Sequence, residues 1–187
     1  MTGWELPKTL PVGGQEWKIR SDYRAVLDIL GWFSSPEYDD DEKWMICLDI
    51  LYEDFADMPQ ELWDEAAKAA SRFIDAGIHP ESKNSPRLMD WEKDAPIIVP
   101  AVNSVMGGEI RAVPYMHWWT FLGYYMSIQE SLFSEVLNIR YKKSKGKKLE
   151  KYETEFYREN TSLVDGFRKQ GRSEADKQAL NKLLGRK

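Results

Sequence analysis

Apolar residues repeat along this chain with two different periods. Near the N-terminus, TLPVGGQEWKI (residues 9–19) places Val12 and Trp17 on either side of Gly13-Gly14. This predicts a small β-hairpin, because glycine supplies the positive φ of a tight turn. Pro11 has no N–H to donate and assigns its arm to a sheet edge. A lone hairpin is marginal in water, so it must pack on helices. From Ser21 the period becomes helical. Tyr23, Val26, Leu27 and Leu30 stand at i, i+3, i+4 and i+7, with Ser21 as the expected N-cap and Pro36 as the stop. The acidic run Asp39-Asp40-Asp41-Glu42 precedes KWMICLDILYEDF and reads as a helix start, where carboxylates meet the positive end of the dipole. It lacks the glycine and ligand spacing of a calcium loop. Pro59 opens a third helix with Leu62, Ala66, Ala69, Ala70 and Phe73 on one face and Gly77 at C′; IHPESKNSPR, which contains His79, is a loop.

In the second half, DWEKDAPIIVPAVNSVMGG (90–108) predicts a bent helix capped by Asp90, with Pro96 and Pro100 each removing an interior hydrogen bond and Gly107-Gly108 ending it. YMHWWTFLGYY (115–125) is apolar nearly all round. Trp118, Phe121, Leu122, Tyr125 and Met126 share one face, while Trp119 and Tyr124 fall on another, as in a central, buried helix. SLFSEVLNIRY follows, with Leu132, Val136, Leu137 and Ile139 on its apolar side. Beyond Lys142 come two charged, helix-forming stretches, with a capping pattern at Ser173 and Asp176 and breaks at Gly166 and Gly171. The expected fold is mainly α. A helical core domain with an N-terminal hairpin spans 1–141, and a basic, mobile helical tail spans 142–187.

Composition narrows the class. With 187 residues, 42% hydrophobic and 30% charged, the chain suits a folded globular domain and not a disordered one. No apolar run reaches the ~18 residues of a membrane span. The first residues lack the pattern of a secretion signal, and Cys47 is alone, so the cytoplasm is the expected compartment. The net charge of −5 conceals an asymmetry: residues 1–139 carry −13 and residues 140–187 carry +8. An acidic body with a basic tail is a statement about partners.

Catalytic chemistry finds little support. His117 has no neighbouring nucleophile in a strand-turn-helix setting, and His79 forms no metal pair with it. Neither glycine pair belongs to a phosphate-binding loop. No catalytic residue, metal ligand or cofactor site is assigned. His117, Trp118, Trp119, Phe121, Leu122 and Tyr125 are assigned to the structural core. Arg140, Lys142, Lys143, Lys145, Lys147, Lys148 and Lys151 are the candidates for partner binding. Those seven cations admit a second reading, a nucleic-acid-binding or packaging accessory protein using segment 140–151. A third is a small enzyme built around His117.

Three blocks together resemble the phage gene-product-fifteen family, encoded in tail modules of phages and prophages of Gram-positive hosts. LPVGGQEWKIRSDYRAVLDI resembles its glycine-turn hairpin followed by I-R-x-D-[FY]-R. LMDWEKDAPIIVPAV resembles its DFEQDA stretch. MHWWTFLGYYMSIQESLFSEVLNIR resembles its LHWWKF start and IxxIR/YR ending. The order and spacing agree across roughly residues 6 to 158. Pro96, Pro100 and VMGGEIRAV depart from the family pattern. The resemblance implies a tail-assembly chaperone, made in the host cytoplasm, that coats the tape-measure protein, with tail proteins as partners and no catalytic residues or cofactors. Opposite charge on tail and body further suggests a homo-oligomer of copies associated head to tail.

Overall fold

A computed structural model of the chain describes residues 5–76 and 87–167. These residues form two compact units, one within 5–76 and the other within 87–167. The mainly α class expected from the periodicity is observed, with eight α-helices and one two-stranded hairpin among the described residues. The units do not follow a division after Tyr141. Tyr141 and Lys142 are successive residues of one helix, and residues up to 167 belong to the second unit. Gly77, His79, Gly171 and the Ser173–Asp176 cap lie outside the described residues.

In the first unit, β1 (Thr9–Val12) pairs antiparallel with β2 (Gln15–Lys18), Val12 opposite Gln15 and Leu10 opposite Trp17. Gly13 and Gly14 take φ of 60° and 77°, which only glycine adopts in succession without strain. Gly13 also lies close to the third helix and the turn that precedes it. A Cβ there would lie 2.7 Å from the Leu62 side chain, and its N–H donates to Glu65 at 3.2 Å. Pro11 stands on an edge, as its missing donor demands.

Three helices complete this unit, α1 (Tyr23–Phe33), α2 (Asp40–Leu51) and α3 (Trp63–Ile74), and α3 packs on β1. Asp22, not Ser21, caps α1 by accepting from Arg24 N. The acidic run does start α2. Asp39 accepts from Glu42 N, and the Glu42 carboxylate returns the bond to Asp39 N, a full capping box. Pro59 leads into a short 3₁₀ turn (Gln60–Leu62), and the α-helix itself begins at Trp63. Val26, Ile29, Leu51, Ala66, Ala70 and Phe73 are almost wholly excluded from water, and Tyr52 seals them by donating its hydroxyl to Ala66 O at 3.0 Å. The same burial pushes the Cys47 thiol up to about 12.

The second unit contains α4 (Ala95–Met106), α5 (Trp118–Met126), α6 (Leu132–Ser144), α7 (Lys151–Glu159) and α8 (Thr161–Asp165). The predicted bent helix starts later than expected. Asp90 caps only a turn, accepting from Glu92 N and Lys93 N. Pro96 then falls in the first turn of α4, where its missing N–H has no partner to lose, and only Pro100 is interior. Gly107, at φ 77°, ends the helix. α5 is not buried all round: Trp118 and Phe121 are buried, Trp119, Leu122, Tyr124 and Tyr125 half-buried, and Met126 exposed. In α6 the inward residues are Phe133, Val136 and Ile139, while Leu132 is exposed.

Candidate interaction surfaces

The HWW block is built around a helix start. His117 is 3% exposed, and its Nδ1 accepts from Trp119 N at 3.1 Å, so the imidazole serves as the N-cap of α5. Such a bond satisfies one of the orphan donors of the first turn. Behind it Trp118 stacks on Phe121 at 5.5 Å, and Trp91 meets Trp118, Phe121 and Tyr125 at 6.4, 6.1 and 4.9 Å. Tyr125 continues the cluster to Phe133 and donates its hydroxyl to Met89 Sδ. Of the six residues assigned to the core, His117, Trp118 and Phe121 are buried, and Trp119, Leu122 and Tyr125 line its border. Replacing His117 with Ala is expected to destabilise the protein by about 1–2 kcal/mol through the lost cap, and His117→Asn, with its own acceptor, by less. Thermal melts of both variants check this; equal losses would show that packing, not capping, dominates.

Arg140 is not a surface cation. It is 2% exposed and all five of its N–H donors are engaged. Nη1 and Nη2 grip the Asp94 carboxylate at 2.6 and 2.8 Å, Nε donates to Val164 O, and the remaining two hydrogens reach Leu88 O and Leu163 O. The guanidinium also lies 4.0 Å over the Phe167 ring. It therefore leaves the set of partner-binding candidates. It ties the DWEKDA segment, α6 and the α8 region into one unit.

Lys142 and Lys143 are likewise turned inward. Lys142 Nζ lies 2.6 Å from Glu153, which also accepts from Asn138 and from Glu150 N. Lys143 pairs with Asp165 at 2.8 Å and sits 3.6 Å over the Tyr157 ring. The hydrogen bond that Lys142 donates to Glu153 holds Lys142 above the ordinary lysine range. Burial alone would raise the Glu153 carboxyl, but the bonds from Lys142, Glu150 N–H and Asn138 outweigh it and hold the group below the usual carboxylate range. A carboxyl lowered in the folded state stabilises above its unfolded pKa of about 4.3 and loses that contribution as pH falls through the folded value. Wild type should therefore lose stability below about pH 4 more steeply than Glu153→Gln. Urea midpoints across that range measure the difference, and parallel curves would refute the coupling.

What remains of the basic segment is a turn. Lys145, Lys147, Lys148 and Lys151 are exposed around Gly146, at φ 63°, with Tyr141 and Tyr152 also exposed beside them in sequence. Lys147 lies 5.1 Å from the Tyr141 ring centroid.

A second surface was not anticipated. Between α2 and α3 lies an open groove of about 510 Å³ whose apolar lining is Trp44, Met45, Leu48, Trp63 and Ala67. Asp41, Asp64 and Lys68 line it as well, all exposed. The indoles are fixed from behind. Trp44 meets Phe33 edge-on at 4.9 Å, and Trp63 packs on Phe55 at 5.3 Å and donates to Met58 O. One signal was in the sequence. The run Trp44-Met45-Ile46-Cys47-Leu48 is five consecutive apolar residues, more than one face of a helix can bury. Ile46, Cys47 and Leu48 are buried, and Trp44 and Met45 remain half-exposed on the groove.

Among the described residues no cluster of three His, Cys, Asp or Glu could hold a metal ion, and no helix is long and apolar enough to cross a membrane. A family model described as "Bacteriophage Gp15 protein" matches residues 5–165. Comparison with curated proteins and with solved structures returns no match.

Proposed function

The chain belongs to the bacteriophage Gp15 protein family, and on that premise we propose that it is a non-enzymatic chaperone of phage tail assembly, acting in the host bacterial cytoplasm. It binds the tape-measure protein, associates with further copies of itself, or both. The observation that carries this reading is the aromatic groove between α2 and α3. Its size is that of a ligand site, and two indoles and a methionine suit the apolar face of an amphipathic helix. A tape-measure protein, being long and helical, offers many such faces. The family-like residues support the reading from the other side. Arg20 donates to the carbonyls of Asp49, Ile50 and Tyr52 at the end of α2, Asp22 and His117 cap helices, and Asp94 and Arg140 pair with each other. Arg20 and Asp22 make these bonds within the first unit, and His117, Asp94 and Arg140 make theirs within the second.

Co-expression with the tape-measure protein of the same tail module tests the reading. The long protein is expected to become soluble and to co-purify, and Met45→Lys is expected to weaken the complex. A tape-measure protein that stays insoluble with or without this chain would reject it. The nucleic-acid reading rests on the four exposed lysines. With those engaged, duplex binding would show a log K against log salt slope of about −3 to −4. Sub-micromolar DNA affinity at physiological salt, abolished by charge reversal at Lys145, Lys147, Lys148 and Lys151, would favour that reading instead.

A further inference from the structure

We propose that the groove between α2 and α3 selects one kind of client segment, an amphipathic helix with a cation at each end of a two-turn apolar stripe and none between. The inference rests on the reading of this groove as a site for a client helix, and it adds the charge pattern that the site recognises. Asp41, Trp44, Met45 and Leu48 stand at i, i+3, i+4 and i+7, so they form one stripe along α2. At a rise of about 1.5 Å per residue this wall is about 10 Å long. Asp64, Ala67 and Lys68 stand at i, i+3 and i+4 along α3 and form the facing wall.

The direction of the two helices places the charges. Tyr52, the residue after α2, donates its hydroxyl to Ala66 O in the first turn of α3. The end of α2 therefore lies beside the start of α3, and the two helices line the groove in opposite directions. Asp41 and Asp64, each exposed and in the first turn of its helix, then mark opposite ends of the groove, with Trp44, Met45 and Ala67 between them. Lys68, one turn beyond Asp64 on the same wall, repels a positive charge set at the middle of the stripe. The whole unit is biased the same way, since residues 5–76 carry 17 Asp/Glu against 7 Lys/Arg. That field draws basic segments in, and the two placed carboxylates fix their register. The recognised pattern is a basic residue, apolar residues one turn on, and a second basic residue two turns on.

Fluorescence anisotropy on the full-length protein tests it with labelled, alanine-rich helical peptides of about 15 residues. All carry the same leucines on one face. One has lysine at both ends of that stripe, one has glutamate there, and one has both lysines at the middle. The end-lysine peptide is expected to bind about ten-fold more tightly than the glutamate peptide at low salt, and the preference should fall to about two-fold at high salt. Asp41→Asn/Asp64→Asn should abolish the preference. Glu16→Gln/Glu61→Gln, which neutralises two exposed carboxylates outside the groove lining, should keep it. The middle-lysine peptide should bind about five-fold more weakly than the end-lysine one, and it keeps the test valid if the Asp variants perturb their helices. Equal affinity for all three peptides overturns the proposal, as does no binding of the end-lysine peptide at about 1 mM. So does a preference that survives Asp41→Asn/Asp64→Asn or that Glu16→Gln/Glu61→Gln removes equally. A tape-measure protein that co-purifies while the peptides show no preference rejects this inference and leaves the tail-assembly reading standing. The peptide preference without a tape-measure complex does the converse.

Discussion

Arg140→Met is expected to destabilise the unit of residues 87–167 by about 3–5 kcal/mol, the loss typical of breaking a buried ion pair from one side. The reason is specific to this site. The Asp94 carboxylate, 3% exposed, would keep its charge without its bidentate partner, and three main-chain carbonyls, of Leu88, Leu163 and Val164, would each lose a donor. Arg140→Lys should fall well short of rescue, because an ammonium has three donors in a compact cluster where the site uses five in a planar fork. Adding Asp94→Leu to Arg140→Met removes the stranded charge and should recover part of the loss. The carbonyls would still be short of partners, at about 1 kcal/mol each. Urea denaturation of the four proteins reads these differences. A midpoint for Arg140→Met equal to wild type would show that the pair contributes nothing net.

Trp118→Ala is expected to lose about 3–5 kcal/mol, the range for deleting a buried aromatic side chain. Trp118 is 2% exposed and contacts both Phe121 and Trp91, so its removal opens the centre of the aromatic cluster. For a unit of this size the loss corresponds to a drop in Tm on the order of ten degrees or more. Its neighbour Trp119, half-buried and edge-on to His117 at 5.8 Å, should lose only about 1 kcal/mol on the same change. The pair is a direct test of which tryptophan faces inward. Equal losses would contradict the described orientation of α5. A Trp118→Ala protein that melts like wild type and fails only in binding would make Trp118 an exposed anchor.

Local chemistry was legible without coordinates wherever a short stretch determined its own conformation. Gly13-Gly14 between Val12 and Gln15 could only be a tight turn, and the hairpin is there. Asp39 and Glu42, three residues apart at the head of an apolar run, formed the capping box that starts α2. Gly107 ended α4 in the left-handed conformation. Each depends on backbone geometry within a few residues, so sequence neighbours carry the signal. The shift of the α4 start past Asp90 was a near miss of the same kind, since Pro96 suits a first turn better than an interior and both readings fit the local pattern.

Periodicity was blind to what depends on distant partners. It assigned Arg140 to a basic patch because Lys142, Lys143 and Lys145 follow it. Its partner is Asp94, forty-six positions earlier, and that pairing turns a surface cation into the buried centre of a unit. Lys142 and Lys143 were drawn in by Glu153 and Asp165 in the same way, leaving Lys145, Lys147, Lys148 and Lys151 outside. Nor could apolar content alone tell that α5 has a wet side, or that Trp44 and Trp63 would face each other across a groove. The amino-acid sequence by itself determined a helical protein with one hairpin and its turns, because those follow from torsion preferences and neighbouring hydrogen bonds. Only the tertiary structure decided which charges were consumed inside the protein and which aromatics were left on its surface, because burial is a property of packed elements and not of any one segment.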